Sequence, residues 1–171
     1  MYSEPLAYFI TFTTFGTWLH GDSRGFVIDG IPGIQQGNAA ILRYRKEHLT
    51  QEPFYLSASE RLLADNLIRQ FSEEQGWTLH ALSVRSNHLH IVVTVNNRLT
   101  IEAAVCGCPS AKLTIDQTMR SIKSLVTREL RKRGIISADK KVWTKYGSTK
   151  YIFDEHYLQN AIRYVNSQDD K

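Results

Sequence analysis

The chain has 171 residues, of which 42% are hydrophobic and 22% are charged, as is ordinary for a globular protein. This length supports one well-buried core and is short for two, so we expect a single domain over residues 1–171. No apolar stretch approaches the roughly 20 residues that span a bilayer, and the N-terminus lacks the pattern of a secretory signal, so we expect a cytoplasmic protein with no membrane partner.

The formal net charge of +4 is a mild basic excess, and much of it is concentrated in one segment. Between residues 112 and 133, seven lysines and arginines stand against two acidic residues, Asp116 and Glu129. Such a segment is an electrostatic footprint for a polyanion, or else a solvated helix face that keeps the protein soluble. Cys106 and Cys108 are separated by one glycine, which strains a disulfide, and there is no second pair to complete a thiolate metal site.

The first predicted strand covers residues 6–15, which are rich in aromatic and β-branched side chains. No period is sustained from about residue 20 to 56, so the chain makes a long irregular excursion, with a turn at Asp29-Gly30 and a short helix near Ala39 to His48. Excursions of this length in a compact domain are usually functional or mobile. Its glycine-rich start contains candidates for contact with a phosphate or a base, although a turn held by Asp and Gly is favoured: His20, Asp22 and Arg24.

A helix, two strands and a second helix follow. Ser57-Ala58-Ser59-Glu60 has the form of a capping box, and apolar residues at helical spacing continue to Gln75-Gly76. The strand from Trp77 to Val84 turns at Arg85-Ser86-Asn87 into an apolar, β-branched strand, and the short turn makes the two antiparallel. No pattern defines residues 96–110. Beyond them an apolar stripe predicts an amphipathic helix that ends at Gly134: Ile115, Met119, Ile122, Val126 and Leu130.

Short β-like pieces at 142–144 and 150–152 precede a last helix, for which Asp154 is the predicted N-cap. The order of strand, helix, strand, strand, helix, short strand and helix predicts an α+β fold. We expect one antiparallel sheet with helices packed on one face, and a ferredoxin-like core is the nearest common architecture.

Two residue pairs carry the candidate chemistry. His88 and His90 begin the apolar strand, and because side chains alternate along a strand, both imidazoles point to the same face. Tyr164 and Gln168 are four residues apart, so we expect them on one helix face, one turn apart. Imidazole nitrogens with an amide oxygen suit Mg²⁺ or Mn²⁺; zinc is the alternative metal, although glutamine is a poor zinc ligand. The pattern predicts a tyrosine nucleophile beside a three-ligand metal site, and the alternative is that the histidines are structural.

These motifs resemble a known family. His88-Leu89-His90 resembles the His-hydrophobic-His signature of HUH endonucleases, and Tyr164 with Gln168 resembles the Tyr-x-x-x-Gln helix of single-tyrosine HUH transposases of small insertion sequences. The segments Ile122-Lys123-Ser124 and Val142-Trp143, with their spacing to Tyr164, are similar to the REP-associated tyrosine transposases. The resemblance extends from the first strand through Gln168, and it implies the HUH endonuclease fold.

What the resemblance implies is an enzyme that cleaves and rejoins single-stranded DNA beside hairpins. His88, His90 and Gln168 would bind the divalent metal, Mg²⁺ or Mn²⁺, and Tyr164 would form a covalent 5′-phosphotyrosine intermediate. The tyrosine helix would complete its own active site in a monomer or that of the other subunit in a homodimer. Residues expected to hold the phosphate backbone or to stack on bases are Arg120, Lys123, Arg128, Arg131, Lys132, Trp18 and Trp143.

Three alternatives stay open. Tyr157, two turns before Tyr164 on roughly the same face, and Tyr151 are other candidate nucleophiles. A non-catalytic, domesticated nucleic-acid-binding module on the same fold would have the same strands and helices with a structural His pair. A zinc hydrolase acting on small molecules is disfavoured because no carboxylate near the His pair is available as a general base.

Overall fold

The structure is a computed structural model, and it describes residues 4–28, 31–95 and 115–168. The turn at Asp29-Gly30, the segment 96–110 and the two cysteines, Cys106 and Cys108, lie outside the described residues. The elements in chain order are β1 (Ala7–Thr13), β2 (Phe26–Ile28), β3 (Ile31–Gln35), α1 (Ala39–Glu47), α2 (Ala58–Glu74), β4 (Thr78–Val84), β5 (His88–Thr94), α3 (Ile115–Lys132), β6 (Ser148–Ile152) and α4 (Glu155–Asn166). Within the described ranges, no helix is both long and apolar enough to cross a membrane.

The main sheet has four strands in the order β4-β5-β1-β6, and each neighbouring pair is antiparallel. Together with α2 and α3, these strands form the β-α-β-β-α-β core that the order of elements predicts. The α+β class and the antiparallel sheet are therefore confirmed. Strand β5 lies between β4 and β1, which places the predicted His strand in the interior of the sheet.

The sheet is covered by helices on both faces. Side chains such as Ile10 and Leu89 enter a core with α2 and α3. On the opposite face Val92 packs in a second cluster with Leu158 and Val165 of α4. The sequence predicts that all helices pack on one face of the sheet. The structure agrees for α2 and α3, but α4 covers the opposite face. The physical reason is visible in β5, where three consecutive residues of the apolar run are at most 1% exposed, as in a strand buried on both sides: Ile91, Val92 and Val93.

The excursion after β1 contains a two-stranded sheet, β2 with β3, which the residue pattern does not predict. The short predicted helix is confirmed as α1, and its N-cap is Asn38, whose Oδ1 accepts hydrogen bonds from the backbone of Ala40 and Ile41. Gly21 has φ +92°, and a Cβ there would lie 2.5 Å from the backbone of Asn38 and Leu42. Glycine at this position lets the loop after β1 approach the first turn of α1.

The packing of α2 predicts that substitutions at two of its positions have very different effects on the stability of the protein. Ile68 of α2 is 0% exposed, whereas Leu62 of the same helix is 64% exposed. Ile68→Ala should lower the free energy of unfolding by about 2–5 kcal/mol, because it removes buried apolar volume and leaves a cavity. Leu62→Ala should change it by less than about 0.5 kcal/mol. Urea unfolding of both variants measures the difference, and similar losses in the two would contradict the described packing of α2.

Candidate functional site

The two histidines of β5 lie side by side on the face of the sheet that α4 covers. Their rings have a centroid separation of 4.8 Å. In the register between β1 and β5, His88 is opposite Thr13 and His90 is opposite Thr11. His90 is only 7% exposed. Alternation along the strand thus brings the two imidazoles together, as the sequence predicts.

Hydrogen bonds occupy the same nitrogen on both rings. Nδ1 of His88 donates to Oδ1 of Asn87, with 2.7 Å between the two atoms, because an amide oxygen only accepts. Nδ1 of His90 is hydrogen-bonded to the Thr11 hydroxyl at 2.8 Å. Because Nδ1 of His88 is the donor, Nε2 of His88 carries the lone pair that could bind a metal, and Nε2 of His90 does so when its Nδ1 donates to the Thr11 hydroxyl. Contacts of this kind fix the tautomer and the ring orientation of metal-binding histidines.

The surroundings favour the neutral form of both imidazoles. Burial is the main cause that lowers the pKa of His90 to about 4, and the charges of His88 and Arg85 act in the same direction. Burial also lowers the pKa of His88, with smaller contributions from the positive charges of Arg85 and Arg24. A neutral imidazole is the form that binds a metal, so both side chains are in a suitable state near neutral pH.

Helix α4 brings Tyr164 to the histidines. The Tyr164 ring lies 5.5 Å from the His90 ring and 6.0 Å from the Phe9 ring, measured between centroids. The next residue, Val165, is 1% exposed and anchors this turn of the helix in the core. Tyr164 itself is 48% exposed, so one side of its ring remains accessible to a ligand.

The other two candidate nucleophiles are placed differently. Tyr151 of β6 packs against Tyr8 at a centroid distance of 5.5 Å, and its register partner Tyr8 packs on the core of α2 and α3. Tyr157 is in the first turn of α4, two turns before Tyr164, and its backbone N–H is bonded to the N-cap Asp154. In the described part of the chain, Tyr164 is the tyrosine with a ring contact to the His pair.

The third predicted metal ligand lies beyond the helix. The spacing predicts that Gln168 lies one helical turn after Tyr164. Helix α4 instead ends at Asn166, with Ser167 as its C-cap, so Gln168 lies outside the continuous helix. Its backbone N–H donates to the oxygen of Val165 at 3.5 Å. No group of three or more His, Cys, Asp or Glu side chains is arranged to hold a metal within the described residues, 4–28, 31–95 and 115–168. Glutamine is not one of these four residue types, so metal binding by Gln168 stays a prediction.

The basic helix predicted to hold DNA lies on the far side of the sheet. Because α3 packs on the face opposite α4, its exposed cations are separated from the histidines by the sheet itself. These exposed cations are Arg120, Arg128, Arg131 and Lys132.

Lys123 and Trp143 are directed into the protein instead of towards solvent. The Lys123 ammonium donates to the backbone oxygens of Thr144, Lys145 and Tyr146 at 2.9, 3.5 and 3.1 Å, and burial lowers its pKa to about 8. Trp143 donates from Nε1 to the backbone oxygen of Lys123, and its ring packs edge-on against Phe12 at 5.0 Å. Both side chains therefore hold the segment before β6 against α3, which corrects the expectation that they face DNA.

The loop after β1 does lie next to the His pair. Both Thr14 and Thr17 donate to the backbone oxygen of Asn87, the residue before His88. Arg24 in turn donates to the backbone oxygen of Thr17, and its guanidinium lies 4.7 Å above the centre of the Trp18 ring. Trp18 is 41% exposed, so the predicted stacking residue is accessible at this end of the sheet.

Asp22 and Arg24 hold the turn in this loop. The Asp22 carboxylate accepts two hydrogen bonds from the Arg24 side chain, at 2.8 and 2.6 Å, which lowers the pKa of Asp22 to about 2. The structural interpretation of the loop is thus confirmed. Sequence reasoning missed the proximity of Arg24 and Arg85 to the histidines and the roles of Thr11 and Asn87, because these depend on strand register and loop path.

The fold and the cluster define a ferredoxin-like α+β protein with two strand histidines beside a helix tyrosine. Its coordinates are similar to the structure of a REP-associated tyrosine transposase bound to a REP hairpin, with a TM-score of 0.52 and 12% identity over 96% of this chain and 67% of that one. The predicted HUH endonuclease fold is therefore confirmed.

A second similar structure is a protein from Deinococcus radiodurans R1 that is provisionally described as a transposase, with a TM-score of 0.45 and 12% identity over 99% of this chain and 95% of that one. No protein-family model matches the sequence, and none of the curated proteins does either.

The low pKa of His90 predicts a dependence of stability on pH in the metal-free protein. Its folded-state pKa of about 4 lies below the ordinary 6.5. Between these two pH values the unfolded chain binds a proton at this residue, whereas the folded chain does not. The free energy of unfolding should fall as the pH drops through this window, by up to about 1.4 kcal/mol per pH unit from this residue. Urea unfolding should show a shallower dependence for His90→Gln; an unchanged slope would contradict the low pKa.

Proposed function

We propose that this protein is a metal-dependent single-stranded DNA endonuclease of the transposase type, which cleaves and rejoins DNA near hairpins through a covalent tyrosine intermediate. The observation that carries the proposal is the contact between the Tyr164 ring and His90, at 5.5 Å, beside the neighbouring His88. A nucleophile and two nitrogen ligands would thereby be within reach of one phosphate.

His88 and His90 would hold a divalent metal through Nε2, since Thr11 and Asn87 engage Nδ1 of each ring. Gln168 is the proposed third ligand. When bound, Mg²⁺ or Mn²⁺ would supply Lewis-acid polarisation of the scissile phosphate. The chain contributes rigid positioning, because both histidines belong to an interior strand whose orientation is set by the sheet.

Tyr164 supplies the covalent chemistry. Its phenolic oxygen would form a bond to phosphorus while the bond from phosphorus to the 3′ oxygen breaks, and the phenol proton ends on that oxygen as a 3′-hydroxyl. The product is a 5′-phosphotyrosine, which retains a phosphodiester. A 3′-hydroxyl from another strand can therefore reverse the step without an external energy source. The half-exposed Tyr164 ring allows a strand to approach it.

A DNA hairpin with single-stranded flanks is the proposed substrate. The fold similarity supports this choice, since the REP-associated transposase of the same fold was solved with a REP hairpin. The basic excess of the chain also suits a polyanion. Trp18, exposed at the His end of the sheet, would stack on an unpaired base.

A denaturation-resistant DNA adduct tests the chemistry. With Mn²⁺ and a labelled pool of hairpin-flanked single-stranded DNAs, the protein should form an adduct that mass spectrometry maps to Tyr164. Tyr164→Phe should abolish the adduct while sparing DNA binding, because phenylalanine keeps the ring that packs on Phe9 and His90.

Tyr157→Phe is the matched control, since it removes a hydroxyl from the same helix and should leave the adduct intact. An adduct on Tyr157 or Tyr151 would reassign the nucleophile. Binding of a DNA that carries the native cleavage site, with no adduct on any residue, would overturn the enzymatic proposal in favour of a non-catalytic binding module.

Metal binding is tested through the residue that orients His88. Asn87→Ala removes the acceptor for His88 Nδ1 and should weaken Mn²⁺ binding about 10–100-fold, measured by isothermal titration calorimetry. Asn87→Asp keeps an acceptor oxygen at this position, so it should retain affinity close to that of the wild type. Equal Mn²⁺ affinity in Asn87→Ala and the wild type would show that this hydrogen bond does not prepare a metal ligand.

A further inference from the structure

Helix α1 is unusual among the helices of the described chain because it has no buried side chain. Its nine residues are too few to be stable as an isolated helix, so its position depends on the residues that hold its first turn. Such a helix adds little to the core. It nevertheless exposes an aromatic ring and an apolar side chain, Tyr44 at 57% and Ile41 at 39%.

The exposed surface of α1 is basic. Arg43, Arg45 and Lys46 follow one another within four positions and are all exposed, against a single acidic residue, Glu47. No carboxylate of the described residues forms a salt bridge with any of these three cations.

A series of short contacts connects α1 to the His strand. The backbone N–H of Asn38, the N-cap of α1, donates to the oxygen of Gly21 in the loop after β1. In the same loop Arg24 binds the backbone oxygen of Thr17, and Thr17 binds the backbone oxygen of Asn87. The cations of α1 and of Arg24 therefore lie on segments fastened to the end of β5 at which His88 begins.

We propose that α1 and the adjoining loop form the surface that holds the phosphate backbone of the DNA hairpin, and we call Arg24, Arg43, Arg45 and Lys46 the basic arm. This inference rests on the proposed function and names the contact surface for its substrate. It replaces α3, which sequence reasoning chose for this role, with a helix at the His end of the sheet.

The chemistry of the basic arm favours DNA. The side-chain cations of Arg43, Arg45 and Lys46 form no salt bridge with a described carboxylate, so they are available to phosphate oxygens, and neutralising each phosphate releases a counterion. Arg24 is already paired with Asp22. Arg24 stacked above the exposed Trp18 ring adds a flat surface of the kind on which unpaired bases stack. A duplex stem on α1 would direct its single-stranded flank along the loop towards His88.

Two triple variants that remove the same charge from different helices test the inference. The first is Arg43→Gln, Arg45→Gln and Lys46→Gln in α1, and the second is Arg128→Gln, Arg131→Gln and Lys132→Gln in α3. Glutamine keeps helix propensity close to that of the residues it replaces, and circular dichroism checks that both variants fold. The probe is a fluorescent DNA hairpin with single-stranded flanks, and Kd is measured by anisotropy at several salt concentrations.

The α1 variant should bind the hairpin at least about tenfold more weakly at low salt, and the slope of log K against log salt should fall by about 0.9 for each phosphate that the variant no longer neutralises. The α3 variant should bind like the wild type. Equal weakening in both variants would show that only net charge matters, and weakening in the α3 variant alone would restore the sequence-based choice. Either result overturns the inference.

The adduct assay separates this inference from the proposed function. If Tyr164 forms the DNA adduct but the α1 variant keeps wild-type affinity and salt slope, the basic arm is refuted and the enzyme remains. If the α1 variant loses affinity but no adduct forms, the basic arm stands as a DNA-binding surface and the proposed chemistry fails.

Discussion

Burial of strand β5 on both faces is the constraint on which the rest of the structure depends. Its pleat sends Leu89, Ile91 and Val93 into the core under α2 and α3, and it sends Val92 into the core under α4. The two histidines belong to the second set of positions, so one run of side chains stabilises the domain and orients the site. A shift of one residue in register would place the histidines in the main core and would move Leu89, Ile91 and Val93 to the face under α4.

Helix α4 completes the site through the same packing that stabilises it. Its buried positions, Leu158, Ala161 and Val165, fit the sheet face next to β5, and Tyr164 is carried to His90 as the neighbour of an anchored residue. The tyrosine is therefore positioned by a helix docked on a sheet and not by a loop, which limits its movement relative to the histidines. Stability and the geometry of the candidate site are coupled here, because loosening the packing of Val165 would also displace the Tyr164 ring.

Local patterns predicted much of this fold, and long-range packing decided the rest. The Ser57 capping box, the helix at Ala39 and the shared face of His88 and His90 follow from neighbouring residues. By contrast, the partner of His90 is Thr11, 79 residues away, and no local pattern reveals it. Charge density predicts α3 as the DNA-binding helix, which stays a prediction, and composition does not show which face of the sheet a helix covers.

The position of charge, more than its amount, determines how a polyanion would meet this site. Burial is the main cause that lowers the pKa of His88, and the positive charges of Arg85 and Arg24 add to it, so these two arginines make the region around the histidines more positive. A field that disfavours a proton on an imidazole favours an anion beside it, because both effects have the same electrostatic origin. A phosphate that approaches these residues would also reduce the repulsion between them. The cations of α3 lie on the opposite face of the sheet from the histidines, so they do not border the candidate site.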